Sequence, residues 1–364
     1  MKKLLIVVDA PGPAEFIAPV IPLLAKKYKI RVVTVKDSPT KILAKYKPVR
    51  CDSESEAEPI YKKFKPDALL AAISSLTLGP YVNNEFTKLA RADGKKIICF
   101  QDYWANHRWP MNFKMMRYWD AMLVLDEMAE NFVLQDDYRG EVIVTGSPAF
   151  DKFGKIDVAK EKARLRKKFL IPASAFVILH CGTGTPQSWK EDEITFKFIA
   201  ETIREIQTDS STRQLINSKL ILISRPHPRD ENPNRYKNLA PDLNLLDTSS
   251  VGLTEELLPI ADVVIAMYST NLVHACYLRI PAISILLPDA GKKILDRVSL
   301  PDFPPNGVGA TVGVYKESVN ILKEKIMTDE KHRAVIKLAQ ERFFPLNKKP
   351  SAHKVADEVL RIFK

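Results

Sequence analysis

Short apolar runs alternate along the chain with longer stretches in which apolar and polar residues recur at helical spacing. The apolar runs predict strands at Leu4–Val8, Arg31–Val35, Ala68–Ile73, Lys96–Phe100, Ala121–Leu125 and Glu141–Thr145. A second series follows at Ala175–Cys181, Lys219–Ser224, Leu243–Leu246, Val263–Ala266 and Ala282–Leu286. Continuous apolar strands separated by helices argue for parallel sheets covered on both faces. The expected fold class is therefore α/β, with two Rossmann-like, doubly wound parallel-sheet domains facing each other across a cleft. The charged, Gly-containing stretch DKFGKIDVAKEKARLRKKFLIPASA separates the two series. It sets the expected domains at 1–152 and 153–350. The last segment, SAHKVADEVLRIFK, predicts a helix over 351–364 that packs back on the first domain, with Ser351 as its N-cap.

Composition narrows the class. The chain has 364 residues, 46% hydrophobic and 27% charged, which fits a soluble globular protein with more than one core. The longest weakly polar window, DALLAAISSLTLGPYV, is too short and too interrupted to span a bilayer. The start, MKKLLIVVDAPGP, has a basic lead and an apolar run, but the run ends at Asp9 and reads as a strand rather than a leader. Cys51, Cys99, Cys181 and Cys276 show neither metal nor redox spacing, as in a reduced cytoplasm.

A net charge of +11 favours anionic partners. No nucleic-acid-binding signature accompanies it, so nucleic acid is not an expected partner. The run KEKARLRKKF, Lys160–Phe169, reads either as a solvated helix face or as a patch for an anionic membrane surface. The expected location is cytoplasmic, with peripheral association at the inner face of the membrane.

In open parallel sheets, ligands bind beyond the carboxyl ends of the strands, and the unusual residues fall there. After Lys219–Ser224 comes Arg225-Pro226-His227-Pro228-Arg229, where proline forces the chain out of the sheet. His227 and Arg225 can donate to phosphate oxygens; the alternative is a polar turn with one structural histidine. After Val263–Ala266 comes Tyr268-Ser269-Thr270-Asn271, which can cap a helix whose N-terminus suits a diphosphate. After Ala175–Cys181 comes Gly182-Thr183-Gly184-Thr185, a Gly-rich turn with hydroxyls but no Walker lysine. Thr145-Gly146-Ser147-Pro148 reads as a connection, and Asp151 as an anchor for the interdomain linker.

In the first half, Asp9 and Glu15 flank a Pro/Gly loop after the first strand. The segment FQDYWANHRWPMNFKMMRYWD gathers Asp102, Tyr103, Trp104, His107, Arg108, Trp109 and Trp119. Aromatic faces beside polar groups suit a sugar or a lipid-linked acceptor, or else pack beneath a long loop. The fingerprints GxSxG, HExxH and GxGxxG are absent.

Together these motifs resemble the two-domain glycosyltransferase B (GT-B) superfamily. The RPHP turn with LPIADVVIAMYST is similar to the CDP-glycerol glycerophosphotransferases and capsule-polysaccharide transferases. In that group an R-x-H-P histidine and a Y-S-S stretch hold the nucleotide phosphates, which implies His227, Ser269 and Thr270 on a diphosphate. The aspartate that follows Y-S-S in that group has no match; His274 stands near its place. FQDYWANHRW with VIVTGSPAFD resembles UDP-N-acetylglucosamine 2-epimerase and, more distantly, lipid A disaccharide synthase, but the glutamate pair of the epimerases is missing from YSTNLVHAC.

The resemblance implies a nucleotide-sugar or nucleotide-polyol dependent glycosyl or glycerophosphate transferase of surface-polysaccharide or glycolipid assembly. The alternatives are an epimerase-like isomerase and a non-catalytic nucleotide-binding protein of polysaccharide export. The second domain would hold the donor through Gly182, Thr183, Gly184, Arg225, His227, Tyr268, Ser269, Thr270 and Asn271, with charge stabilisation strongest in the transition state. The first would bind a glycan or lipid-linked acceptor, with Glu15, Asp102 or His107 as base. The donor is a substrate; neither a cofactor nor a metal is expected.

Overall fold

A computed structural model describes residues 1–74, 81–183, 189–210, 219–227, 230, 232–297, 299–346 and 349–364. The chain divides into two compact units, Met1–Lys152 with Asn347–Lys364, and Phe153–Leu346.

The first unit is built on a seven-stranded sheet of order β3-β2-β1-β4-β5-β6-β7. Its strands are β1 (Lys3–Val8), β2 (Lys29–Thr34), β3 (Val49–Arg50), β4 (Ala68–Ile73), β5 (Lys96–Gln101), β6 (Ala121–Val124) and β7 (Glu141–Val144). All pairings are parallel; Leu4, for example, lies opposite Ile30 on one side and Ala68 on the other. Leu4 to Val8 are fully buried, as a central strand covered on both faces requires. One core joins Leu4, Ile6 and Val8 to Phe16, Val20 and Leu24, and to Val355 and Val359 of the helix Ser351–Ile362. Ser351 is the first residue of that helix rather than its cap. The cap is supplied from a distance. Asp151 accepts the backbone N–H of Ser351 at 2.9 Å and of Ala352 at 3.1 Å, satisfying two donors that Pro350 cannot serve.

The second unit carries a five-stranded sheet of order β12-β11-β10-β8-β9. Its strands are β8 (Phe176–Cys181), β9 (Leu220–Arg225), β10 (Val263–Ala266), β11 (Ala282–Ile285) and β12 (Val312–Val314). These pairings too are parallel. Ile178, Ile265 and Ile283 pack with Phe196, Ile199 and Ile203 of the helix Trp189–Thr208.

The strands differ from expectation in two respects. Leu243–Leu246 forms no strand. It contributes one parallel bridge, Leu245 to Leu222, because the run is interrupted by the exposed Asn244 and only Leu243 is buried. β3 and β12 were not expected; at two and three residues they are too short to leave a periodic signal.

In each unit the winding direction reverses once, between β1 and β4 and between β8 and β10. These are the positions at which open parallel sheets bind ligands. Among the described residues no helix is long and apolar enough to cross a membrane.

Candidate functional site

In the first unit, Asp9, Ser74 and Asp102 directly follow β1, β4 and β5, three adjacent strands at the reversal. Ser74 Oγ donates to Asp9 Oδ2 at 2.9 Å. Asn106 donates to Asp102 Oδ1 at 2.9 Å and to the Ile73 carbonyl at 3.2 Å. Asn112 joins the Ser74 and Asn106 carbonyls at 2.8 Å each, and Asn83 holds the Ala72 carbonyl at 2.8 Å. Three asparagines thus bind carbonyls around the strand ends, and the carboxyls are fixed upon that frame. Gly12 stands against Asp102 so closely that a Cβ there would overlap Oδ2.

Burial pushes the Asp102 carboxyl up to about 7, and the charges of Asp9 and Glu15 add to the rise. Burial pushes Asp9 up to about 6, against the opposing bond from Ser74. Two carboxyls raised toward neutrality, one of which feels the charge of the other, suit acid–base work. Glu15, exposed on the helix Pro11–Ile17, acts on Asp102 through its charge.

His107, also expected as a base, is held in other contacts. Its side chain is fully buried. Nδ1 lies 3.2 Å from Gln101 Oε1 and Nε2 lies 2.9 Å from Asp136 Oδ2, so both ring nitrogens are engaged. Burial pushes its pKa down. The histidine ties its turn to Asp136, which Arg108 also grips at 2.6 Å. Trp104 and Trp119 are buried as well, and Trp104 donates to Asp126 at 2.9 Å. They pack the core and offer no sugar platform; Trp109 is half-buried.

In the second unit, Gly182 and Thr183 follow β8, His227 follows β9, and Tyr268 to Asn271 follow β10. Because β9 and β10 flank β8, strand spacing sets their ends about 10 Å apart. Ser269 Oγ accepts the Asn271 N–H at 3.2 Å and caps the helix Thr270–Tyr277. The hydroxyl keeps its own proton to donate, and the helix N-terminus adds partial positive charge. Thr270 is exposed, Asn271 half-buried, and Tyr268 packs edge-on against Phe303 with centroids 5.5 Å apart. His227 is half-buried, and its carbonyl accepts the Asp230 N–H at 2.8 Å. Gly184 lies outside the described residues.

Two expected donor residues also make structural contacts. Arg225 Nη1 donates to the Thr248 carbonyl at 2.8 Å, and Nη2 donates to those of Val251 and Gly252 at 2.9 and 3.1 Å. With both terminal nitrogens so placed, the guanidinium braces the 248–252 turn. Gly182 is required for packing, since a Cβ there would overlap the Tyr236 hydroxyl and crowd the Arg225 carbonyl.

Sequence reasoning named Asp9 only as a loop flank and missed Ser74, Asp192 and Tyr236. Asp9 carried a usable signal, a carboxylate one residue past a buried strand. The other three acquire meaning only from contacts distant in sequence. Among the described residues no group of three His, Cys, Asp or Glu could hold a metal.

Residues 102–361 match the family model described as CDP-Glycerol:Poly(glycerophosphate) glycerophosphotransferase. No curated protein matches the chain. Among solved structures, the chain is similar to UDP-GlcNAc 2-epimerase from Neisseria meningitidis bound to UDP-GlcNAc, with TM-score 0.66 and 14% identity over 99% of this chain and 100% of that one. It is also similar to an S. aureus MnaA–UDP co-structure, with TM-score 0.67 and 14% identity over 100% and 97%. A glycosyltransferase from Rickettsia africae gives TM-score 0.59 and 14% identity over 100% and 98%. At such identities the likeness is one of fold, two parallel-sheet α/β units. It lends the epimerase alternative no further weight.

Proposed function

Because the chain belongs to the CDP-glycerol:poly(glycerophosphate) glycerophosphotransferase family, we propose that it transfers a polyol phosphate from a CDP-linked donor to an acceptor hydroxyl in surface-polysaccharide assembly. The observation that supports this best is the placement of Thr183, His227 and Ser269–Asn271 beyond three adjacent strands, inside the span the family model matches. The second unit holds the nucleotide diphosphate. His227, the Ser269 hydroxyl and the partial positive charge at the N-terminus of the Thr270–Tyr277 helix meet the charge on its phosphates.

The acceptor oxygen attacks the phosphorus that carries glycerol. A phosphorus–oxygen bond to the acceptor forms as the anhydride bond breaks, and CMP leaves with the bonding electron pair. The hydroxyl proton passes to Asp102, the base in this proposal. Glu15 tunes Asp102 through its charge. The acceptor is a glycan or lipid-linked polyol phosphate, and the neighbours with UDP bound lend a nucleotide-activated donor general support. Peripheral membrane contact through the helix Val158–Lys168 belongs to the same proposal. Lys162 and Arg166 pair there with Asp262, while Lys160, Lys167 and Lys168 are exposed.

The test is CMP release from CDP-glycerol in the presence of a glycerophosphate-primed acceptor. The expected result is acceptor-dependent CMP that falls at least about 100-fold in His227→Ala. Inversion of UDP-GlcNAc at C2 with no CMP from CDP-glycerol would replace transferase by isomerase. CDP binding without turnover would mark a non-catalytic member of the fold.

A further inference from the structure

Two turns of the second unit are held by the same two helices. Asp192, on Trp189–Thr208 and 1% exposed, accepts the Thr183 N–H at 3.0 Å and the Tyr236 hydroxyl at 2.5 Å. One residue on, Glu193 receives Arg235 Nη1 at 3.2 Å. Arg235, next to Tyr236 on Arg235–Leu239, grips Asp230 in bidentate fashion: Nε to Oδ2 at 2.6 Å and Nη2 to Oδ1 at 3.2 Å. Its guanidinium also lies 4.5 Å from the centre of the Trp189 ring. Asp230 in turn donates its N–H to the His227 carbonyl. The consecutive pairs Asp192–Glu193 and Arg235–Tyr236 therefore tie the Thr183 turn and the His227 turn to one scaffold.

The Asp230 and Arg235 side chains are only 3% and 9% exposed. Desolvation makes such a buried pair a weak source of net stability, while its bidentate geometry leaves little freedom. The deep burial of Asp192 has the same character. Its two bonds join residues 44 apart along the chain to the turn after β8. A phosphate bound between two turns depends on their separation, and errors of about 1 Å in placement cost roughly 100-fold in rate.

We propose that Asp192–Tyr236 and Asp230–Arg235 form a clasp that sets the Thr183 turn and the His227 turn at one fixed separation, making all four positioning residues for the donor phosphates. This rests on the donor site placed above in the second unit. None of the four needs to touch the ligand; they act through the placement of His227 and of the Thr183 turn.

The experiment is a double-mutant cycle read by calorimetric titration of the full chain with CDP. Asp230→Asn preserves size but weakens the grip on Arg235. Tyr236→Phe removes a single hydroxyl and serves where Asp230→Asn fails to fold. Each single variant should bind CDP about 10-fold more weakly than the parent, as should His227→Ala. Asp230→Asn combined with His227→Ala should bind no more weakly than His227→Ala alone, a coupling of about 1.4 kcal/mol. Unchanged affinity in both Asp230→Asn and Tyr236→Phe, or strictly additive losses, would overturn the clasp and leave the donor site standing. Parent-like affinity in His227→Ala would overturn the donor site itself, and the clasp with it.

Discussion

Asp102 and Gly12 are in such close apposition that the carboxylate occupies space a side chain at position 12 would need. Gly12→Ala should displace Asp102 while leaving the strands of the first unit intact. The expected outcome is a fall in kcat of about 100-fold with little change in CDP affinity, measured by steady-state kinetics beside calorimetry. Equal losses in kcat and CDP affinity would disconnect this contact from the chemical step.

The carboxyl pair predicts a pH dependence of both rate and stability. With Asp102 as base, turnover should rise with pH along a limb near 7, and Asp102→Asn should remove the limb and cost about 100-fold or more. The sign for stability is opposite. A folded pKa raised from 3.8 to about 7 means the native state holds its proton more tightly, so the group's contribution declines as pH rises between those values. Thermal melts should therefore show Asp102→Asn gaining on the parent at pH 8 relative to pH 4. A constant difference would count against the buried carboxyl.

His107 supplies the contrast. Its ring is a buried brace between Gln101 and Asp136. His107→Gln should lower stability by about 1–3 kcal/mol in urea unfolding. The rate limb near pH 7 should be unmoved, and a shifted limb would restore His107 to the acid–base chemistry.

Asp151 caps a helix two hundred residues away along the chain. Asp151→Ala should cost about 1–2 kcal/mol and speed amide exchange in the first turn of Ser351–Ile362. Exchange unchanged at Ser351 and Ala352 would remove the cap from the account of this fold.

Local pattern was enough for the strands buried on both faces. Ala68–Ile73 and Val263–Ala266 are continuous apolar runs, and runs of that kind have few alternatives to a central parallel strand. The His227 turn and the Ser269 cap were legible for a related reason, since proline and a short hydroxyl side chain act on their own neighbours in the chain. Leu243–Leu246 failed because one bridge, and not a ladder, is all that its surroundings allow.

By itself, then, the sequence determined the parallel α/β character of the chain, most of its strands and the turns that end them, because hydrophobic period and backbone restriction are local properties. Tertiary structure alone decided which polar residues are free to act. It buried His107, committed Arg225 to three carbonyls, set Asp9 beside Asp102, and brought Asp192 to Thr183 and Tyr236. The physical reason is that a side chain's charge state and remaining hydrogen-bonding capacity depend on its burial and on partners tens of residues away.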